Sequence, residues 1–317
     1  MSRSKRILLT GGFGFIGAAL TRRLVNDGHS VAFLELQAAD MGRLGDARGK
    51  LTMKEVDLKD HAAVMSAVKE LAPHIIIHLA AYYAIDHRPD EVTALVGTNV
   101  QGLANILEAA RAVKPEVFIT TSSCFVYEQT GRPLAEDSPL KPTNLYAMTK
   151  RFGEELCTFY ASEYGLGIVN FRLFSPYGPG DHDRRLIPSV IKSCLDGEAP
   201  RVSTGRQKWD FVFIDDIVDA YVRALDYAPR GQETFNIASG TAVSVHDIVT
   251  HIRKLMGPGP EPLWGAISHR KSEIWSMTAD ITRARQRLQW EPKTEMLGDG
   301  LERTVRWFAD KYGGSKR

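Results

Sequence analysis

The chain is poor in cysteine and has no long apolar run. Its three cysteines, Cys124, Cys157 and Cys194, are odd in number and far apart, so neither a disulfide framework nor a zinc knuckle is predicted. The nine histidines form no His-Glu-x-x-His pattern, and we predict no metal site. Because no stretch approaches the length of a membrane span, we expect a protein of the reducing cytoplasm.

Net charge is also small. The 40 basic and 38 acidic side chains leave a formal charge of +2, which gives no broad electrostatic reason to bind nucleic acid or an anionic membrane. With 317 residues, 44% of them hydrophobic, the chain can bury one large core or two modest ones. Function is therefore expected to reside in local motifs.

The first motif is a glycine-rich turn within residues 5–17, which read Lys-Arg-Ile-Leu-Leu-Thr-Gly-Gly-Phe-Gly-Phe-Ile-Gly. The apolar run 7–9 predicts a strand buried on both faces, and the apolar spacing from Phe15 onward predicts a helix. Gly12 and Gly14, at the turn between them, would let a diphosphate approach the amides at the positive end of that helix. The alternative is a tight turn without a ligand.

A carboxylate follows this motif at a separation typical of dinucleotide sites. Residues 30–34 predict a second strand, and Glu35 comes directly after it, about 20 residues beyond the glycines. A carboxylate there can accept hydrogen bonds from a ribose diol and repels a 2′-phosphate, so we expect NAD rather than NADP. The alternative is a solvated glutamate at a strand end.

Short apolar runs alternate with helical stretches through the first half of the chain. Further strands are predicted at 51–56, 74–79, 117–121 and 168–173, and helices at 60–71, at 92–112 and from 144 past 160. This alternation predicts a parallel sheet, and ligands bind beyond the carboxyl ends of such strands. Ala80, Ala81 and Ser123 lie at such ends, and Asp57 follows a third strand, where it could meet an adenine amine.

The alternation is lost after residue 173. The remaining apolar runs predict helices at 187–195, from 215 to 225 and at 297–308, short strands at 201–202, 211–214 and 235–238, and a linker at 256–262.

Tyr146 and Lys150 stand four residues apart on the helix predicted from residue 144, so both side chains leave the same face. A phenol is a poor base, with an ordinary pKa of about 10. A lysine cation and a positively charged nicotinamide ring would both favour the phenolate. Tyr146 could then move a hydroxyl proton while hydride moves at the same carbon, and Ser123 could donate to the developing oxyanion. The alternative is a surface tyrosine beside a solvated lysine.

Several segments join these motifs in one pattern: Thr-Gly-Gly-Phe-Gly-Phe-Ile-Gly at 10–17, His-Leu-Ala-Ala at 78–81, Asn-Val-Gln-Gly at 99–102, Ser-Ser at 122–123 before Val-Tyr at 126–127, Tyr146 with Lys150, Asp-Phe at 210–211 before Asp-Asp at 215–216, and Asn-Ile-Ala-Ser-Gly at 236–240. The pattern covers nearly the whole chain. It resembles the extended short-chain dehydrogenase/reductase family, and within it the NAD-dependent epimerase/dehydratase group that acts on nucleotide sugars.

The resemblance implies an α/β fold, with a Rossmann-type doubly wound parallel sheet and a smaller C-terminal α/β substrate domain. We expect residues 1–172, joined by about 211–240, to form the NAD-binding domain, and 173–210 with 241–317 to form the substrate-binding domain. The partners it implies are a nucleotide-diphosphate sugar and a second copy of the chain in a homodimer. The NAD-binding residues we predict are Gly11, Gly14, Phe15, Ile16, Gly17, Glu35, Asp57, Leu58, Leu79, Ala80, Ala81, Asn99, Tyr146 and Lys150.

Departures from the family pattern bear on the reaction. This chain has Ser-Cys-Phe-Val-Tyr at 123–127. At the same place the family's 4,6-dehydratases have a segment similar to Thr-Asp-Glu-Val-Tyr, whose acid and base eliminate water. This chain lacks that acid and base. The family's 3,5-epimerases keep a cysteine where this chain has Phe125. Cys124 could be a substitute proton donor, but a small residue packed against the sheet is the simpler interpretation.

The substrate half departs from the pattern as well. Ser175 replaces a frequent asparagine, and Trp209 replaces a frequent arginine, both where the resemblance places the diphosphate. Arg270 resembles another phosphate-contacting position. The residues that could compensate are Arg184, Arg185 and Lys208, although each alone could be a solvated charge.

The sequence therefore predicts a nucleotide-sugar epimerase that acts at C4 through a transient 4-keto sugar, with Ser123, Tyr146 and Lys150 as its catalytic residues and Ser175, Arg184, Lys208 and Arg270 in contact with substrate. A 4-ketoreductase or dehydrogenase that releases its reduced cofactor is the alternative. A 4,6-dehydratase and a dinucleotide-binding protein without turnover are less favoured. The sugar and the nucleotide base stay open.

Overall fold

The computed structural model describes residues 4–36, 41–269 and 273–313. Its strands are β1 (Arg6–Thr10), β2 (Ser30–Glu35), β3 (Leu51–Glu55), β4 (Ile75–His78), β5 (Val117–Ser123), β6 (Ile168–Leu173), β7 (Ser175–Tyr177), β8 (Lys208–Phe213), β9 (Gln232–Ile237), β10 (Ala242–Ser244) and β11 (Ser276–Met277). Its α-helices are α1 (Phe15–Asn26), α2 (His61–Leu71), α3 (Val92–Val96), α4 (Gly102–Val113), α5 (Leu145–Tyr164), α6 (Leu186–Leu195), α7 (Ile214–Ala224), α8 (Val245–Met256), α9 (Thr282–Arg287) and α10 (Leu301–Gly313).

One parallel sheet organises the larger part of the molecule, in the order β3-β2-β1-β4-β5-β6-β9. Helices cover both of its faces, so each strand buries alternate side chains in opposite cores. In β1, Ile7 and Leu9 pack in the core shared with α1 and α7, and Leu8 packs in the core shared with α2, α4 and α5. The predicted Rossmann-type α/β fold is confirmed.

A smaller sheet follows in the chain. Its central strand β8 pairs with β7 and β11 in parallel and with β10 antiparallel. Helices α6, α8 and α10 pack together beside it. The apolar core that contains β1 continues into this part through buried residues such as Tyr177, Phe213 and Phe308. The predicted smaller C-terminal α/β part is therefore present.

The two sheets divide the segment 211–240. Strand β9 pairs with β6 in the large sheet, and α7 packs against α1. Strand β8 lies in the small sheet, although residues 211–213 were expected in the NAD-binding domain. The domain boundaries stay a prediction, and the strand pairing favours a boundary at the β8–α7 junction.

Two helical segments show how the prediction and the structure differ. The helix expected over 92–112 is interrupted by one wide turn at Gly97–Gln101, where Asn99 bonds other segments. Helix α8 was not predicted, although Val245, Ile248, Val249 and Ile252 follow helical spacing and are buried. The Ser244 hydroxyl caps α8 by accepting a hydrogen bond from the Asp247 amide at 3.0 Å.

Candidate active site

A cavity of about 310 Å³ lies at the carboxyl ends of β1, β4, β5 and β6. Side chains of Ser123, Tyr146 and Lys150 line it, together with the glycine-rich turn that precedes α1. The structure therefore brings the three predicted catalytic residues to the same place as most of the predicted cofactor residues.

The glycine-rich turn packs too closely for side chains. Gly11 has φ +77°, and a Cβ on it would lie 2.7 Å from the Ala80 amide nitrogen. A Cβ on Gly17 would lie 2.1 Å from the Gly11 carbonyl oxygen. Gly14 is the N-cap of α1 and brings no side chain to the first amides of that helix. Such a turn fits the diphosphate of NAD, because backbone amides and the helix dipole are open to an anion.

Glu35 lies beside this turn, at the end of β2. Its carboxylate accepts a hydrogen bond from the Gly12 amide. Burial raises the pKa of Glu35 to about 7, although the amides of the turn act in the opposite direction. The next strand of the sheet is β3, and Asp57 and Leu58 follow it, so all three predicted residues lie at one corner of the sheet. This corner is where the ribose and adenine of a bound dinucleotide would be expected.

A hydrogen bond from Lys150 connects β5 with the first turns of α5. The Ser123 side chain, at the end of β5, lies next to Tyr146 and lowers the pKa of its phenol. Lys150 Nζ donates to the Thr121 carbonyl oxygen at 2.8 Å and lies 5.9 Å from the centre of the Tyr146 ring. The Asn144 side chain caps α5 by accepting a bond from the Ala147 amide. The hydroxyl, the phenol and the ammonium are thus held by rigid elements.

Burial determines the charge state of these groups. It raises the pKa of Tyr146 well above its ordinary value, and the neighbouring Ser123 hydroxyl opposes this effect. Burial also lowers the pKa of Lys150 to about 8. Tyr146 is therefore a neutral phenol beside a lysine that keeps its proton at neutral pH. A cation bound next to Tyr146 would lower its pKa.

Asn99 joins the segment after β4 to α5. Its Nδ2 donates to the Tyr82 carbonyl oxygen and to Thr149 Oγ1, both at 3.0 Å, and its Oδ1 accepts from the Tyr82 amide at 2.7 Å. Asn99 is buried behind the cavity rather than among its lining residues. It positions the backbone that leads from Ala81 to Tyr83.

Tyr83, Asp181 and His182 line the cavity although they were not among the predicted site residues, and Arg185, named only as a residue that could compensate, lines it as well. The Tyr83 ring packs edge-on against the Tyr146 ring, with centroids 4.9 Å apart. These residues lie in loops after β4 and β7, where no periodic pattern predicts the direction of a side chain. Position just beyond a strand end is the one sequence signal they carry.

The structure places the predicted substrate residues in different parts of the molecule. Ser175, the first residue of β7, lines the cavity. Arg184 and Lys208 are exposed and do not line it. Arg270 lies outside the described residues. Trp209 packs edge-on against Phe125, with ring centroids 5.9 Å apart.

A larger cleft of about 450 Å³ lies between α5, β9 and α9. Many of its charged side chains pair with one another, such as buried Arg172 with Glu154 at 2.8 Å. It contains none of the predicted catalytic or cofactor residues. The smaller cavity is therefore the candidate active site.

The described residues contain neither a membrane-spanning helix nor a cluster of metal ligands. Among them, no helix is both long and apolar enough to cross a bilayer. Within the same ranges, no three His, Cys, Asp or Glu side chains gather as a metal site would require.

Comparison with known proteins agrees with this geometry. Residues 7–238 match the family model described as the NAD dependent epimerase/dehydratase family. A UDP-glucose 4-epimerase of Mycolicibacterium smegmatis is 32% identical over 315 residues, which cover 96% of this chain and 99% of that protein. UDP-glucuronate 4-epimerase 3 of Arabidopsis thaliana is 28% identical, with coverage of 99% and 79%.

Solved structures are similar over the same length. The UDP-glucose 4-epimerase of Thermotoga maritima with UDP-glucose superposes with a TM-score of 0.89 at 26% identity, covering 96% of this chain and 99% of that one. A UDP-glucuronic acid 4-epimerase from Bacillus cereus, in complex with UDP-glucuronic acid and NAD, has a TM-score of 0.88 at 26% identity, with coverage of 97% and 100%.

Proposed function

The chain belongs to the NAD-dependent epimerase/dehydratase family, and on that premise we propose a complete reaction and a site for it. The protein is an NAD-dependent enzyme, a nucleotide-sugar epimerase that inverts C4 through a transient 4-keto sugar. The observation that carries the site assignment is the meeting of Ser123, Tyr146 and Lys150 in the cavity that the glycine-rich turn also lines.

The side chains of this protein transfer the proton of the sugar 4-hydroxyl. When bound, NAD supplies the acceptance and return of hydride at C4. Tyr146 removes the proton of the 4-hydroxyl and later returns it to the same oxygen, after the keto sugar has turned in the cavity so that hydride reaches the opposite face of C4. Ser123 donates a hydrogen bond to that oxygen, and the Lys150 cation favours the phenolate form of Tyr146.

The residues after Ser123 support epimerisation over elimination of water. Burial raises the pKa of the Cys124 thiol to about 12, so it is neutral and a weak acid. Phe125 has no acid or base group. The cavity wall that follows Ser123 thus offers no acid–base pair for elimination.

We propose that the substrate is a uridine-diphosphate sugar. The relatives and solved structures named above are epimerases of UDP-glucose and UDP-glucuronate, and they align along nearly the whole chain.

We propose that the enzyme is a homodimer formed through α3 and α5. These helices pack side by side, and both present apolar side chains to solvent. Val92 and Val96 lie on α3; Met148, Phe152 and Phe159 lie on α5, where Phe152 and Phe159 are each 50% exposed. In a dimer with two-fold symmetry, α3 and α5 of one copy would pack against α3 and α5 of the other, and these apolar side chains would be buried.

We also propose that the enzyme works in the cytoplasm, where its three free thiols would stay reduced.

The test is conversion of UDP-glucose to UDP-galactose, followed by proton NMR, with the parent and Tyr146→Phe. The parent should interconvert the two sugars without consuming added NADH, since hydride returns to the substrate. Loss of the phenol hydroxyl should lower kcat at least about 10²-fold. Tyr164→Phe, which removes an exposed hydroxyl from the same helix, is the control. Turnover by Tyr146→Phe within about threefold of the parent would contradict the assignment.

A further inference from the structure

Two charged side chains of the catalytic cavity, Asp181 and Arg185, have no part in the chemistry proposed above. Both line the cavity with Ser123 and Tyr146. Asp181 is 4% exposed, and its Oδ1 accepts hydrogen bonds from the His182 amide at 2.7 Å and from Arg185 Nη1 at 3.3 Å. A buried carboxylate therefore holds a half-buried guanidinium at the wall of the active site.

Arg185 lies close to the reacting end of the cavity. Its positive charge lowers the pKa of both Tyr146 and Cys124, against the larger effect of burial on each. The other lysine or arginine that lines the cavity is Lys150, whose ammonium bonds the Thr121 carbonyl oxygen on the β5 side. Arg185 is thus the cation that the loop before α6 brings to the cavity wall.

The guanidinium retains donors for a ligand. An arginine carries five N–H donors in a planar fork. Within the described residues, the Arg185 side chain donates one hydrogen bond, to Asp181. The remaining geometry suits the two oxygens of a phosphate or a carboxylate. Asp181 both orients the fork and balances its charge while the cavity holds no anion.

We propose that the Asp181–Arg185 pair binds an anionic group of the nucleotide sugar inside the catalytic cavity. The group is either a diphosphate oxygen or a carboxylate on the sugar, since both offer the same pair of oxygens to the fork. This inference rests on the proposed function, because it assumes a nucleotide-sugar ligand. Arg185 is then a binding residue that determines substrate affinity, and Asp181 is its positioning residue.

Calorimetric titration of the NAD-loaded enzyme tests the proposal with three ligands: UDP-glucose, UDP-glucuronate and uridine. Arg185→Gln should weaken both nucleotide sugars about 30-fold if the diphosphate is the group bound, and UDP-glucuronate alone if it is the carboxylate. Uridine, which has no anion, should bind the variant and the parent equally. Unchanged affinity for both nucleotide sugars overturns the proposal.

Lys192→Gln is the matched control. It removes a cation from an ion pair in α6, Lys192 Nζ to Asp183 Oδ2 at 2.8 Å, away from the cavity lining, and should leave all affinities unchanged. Arg185→Lys guards against misfolding of the glutamine variant, since it keeps the charge beside Asp181. It should weaken the same ligands about fivefold, because an ammonium cannot bind two oxygens as a fork. Parent-like affinity in Arg185→Lys, should Arg185→Gln not fold, overturns the bidentate assignment.

Epimerase assays of the parent separate this inference from the proposed function. A parent that epimerises UDP-glucose while Arg185→Gln binds it normally refutes the anion site alone. A parent that binds UDP-glucose through Arg185 without epimerising it refutes the proposed reaction alone. A parent that binds neither nucleotide sugar refutes both.

Discussion

Lys150 Nζ and the Thr121 carbonyl oxygen are joined by a 2.8 Å hydrogen bond that links α5 to β5 two residues before Ser123. The bond fixes the ammonium behind the Tyr146 ring. It also satisfies one donor of a cation that burial disfavours, as the lowered pKa of Lys150 shows. The contact therefore sets the position of this lysine, whereas burial sets its pKa.

Lys150→Met should lower kcat at least about 10²-fold, because Tyr146 loses the cation that favours its phenolate. The thermal midpoint should not fall, since a buried ammonium with a lowered pKa costs folding free energy. Steady-state kinetics and calorimetry measure the two effects. A variant with near-parent kcat would show that the ammonium has no part in proton transfer.

Asn99→Leu should destabilise the protein by about 2–4 kcal/mol, because it removes three hydrogen bonds and leaves the Tyr82 amide and carbonyl without their partner. The loop that carries Tyr83 should then become disordered and raise KM. Urea unfolding and kinetics measure both. A loss below about 0.5 kcal/mol would mean that the loop is held by other contacts.

Gly17→Ala should abolish retention of NAD on purification, since its Cβ would overlap the Gly11 carbonyl oxygen and displace the turn or the start of α1. Gly49→Ala is the control, because a Cβ there meets no atom within 4 Å. The cofactor content of each variant, read from absorbance after denaturation, measures the effect. Equal NAD content in both variants would contradict the role of the turn.

His78 should make stability fall as the medium becomes more acidic. Burial and the Lys150 cation lower its pKa to about 3 from 6.5, and its Nδ1 lies 2.8 Å from Thr10 Oγ1. Between the folded-state pKa of about 3 and the unfolded-state pKa of about 6.5, His78 binds a proton in the unfolded chain but not in the folded protein. The free energy of unfolding therefore decreases as the pH falls below about 6.5. At about pH 5 the loss should be about 2 kcal/mol.

His78→Gln, whose amide can still bond Thr10, should lack this contribution. Urea unfolding of parent and variant near pH 7.5 and pH 5 measures the difference. An identical loss of stability in both would assign the acid sensitivity to other groups.

Phe152→Glu should convert the proposed dimer to monomer, because it places a carboxylate in the centre of the apolar surface of α3 and α5. Ile267→Glu, at a side chain that is 52% exposed elsewhere, should leave the assembly intact. Sedimentation equilibrium measures the mass of each. Equal masses would place the interface on another surface.

Local patterns predicted those parts of the site that regular elements hold. The strand before Gly11, the helix that carries Tyr146 and Lys150, and the strand that ends at Ser123 each have a period that the sequence displays. Their meeting at one end of the sheet follows from parallel topology alone.

The remaining parts depend on long-range contacts. Tyr83 reaches the cavity because Asn99, 17 residues beyond Tyr82, bonds the Tyr82 backbone. Asp181 and Arg185 meet in the irregular loop between β7 and α6, where no periodic pattern predicts that their side chains pair. Helix α8 is a different case, because the sequence does display the helical spacing of its buried positions, next to a stretch rich in proline and glycine.

The apolar core that runs unbroken from β1 to α10 also limits how the molecule can move. A hinge between the two sheets would have to separate side chains such as Tyr177, Phe213 and Phe308 from the layer beneath them and leave that surface wet. Access for a substrate must therefore come from movement of the loops around the mouth of the cavity, while its floor stays in place.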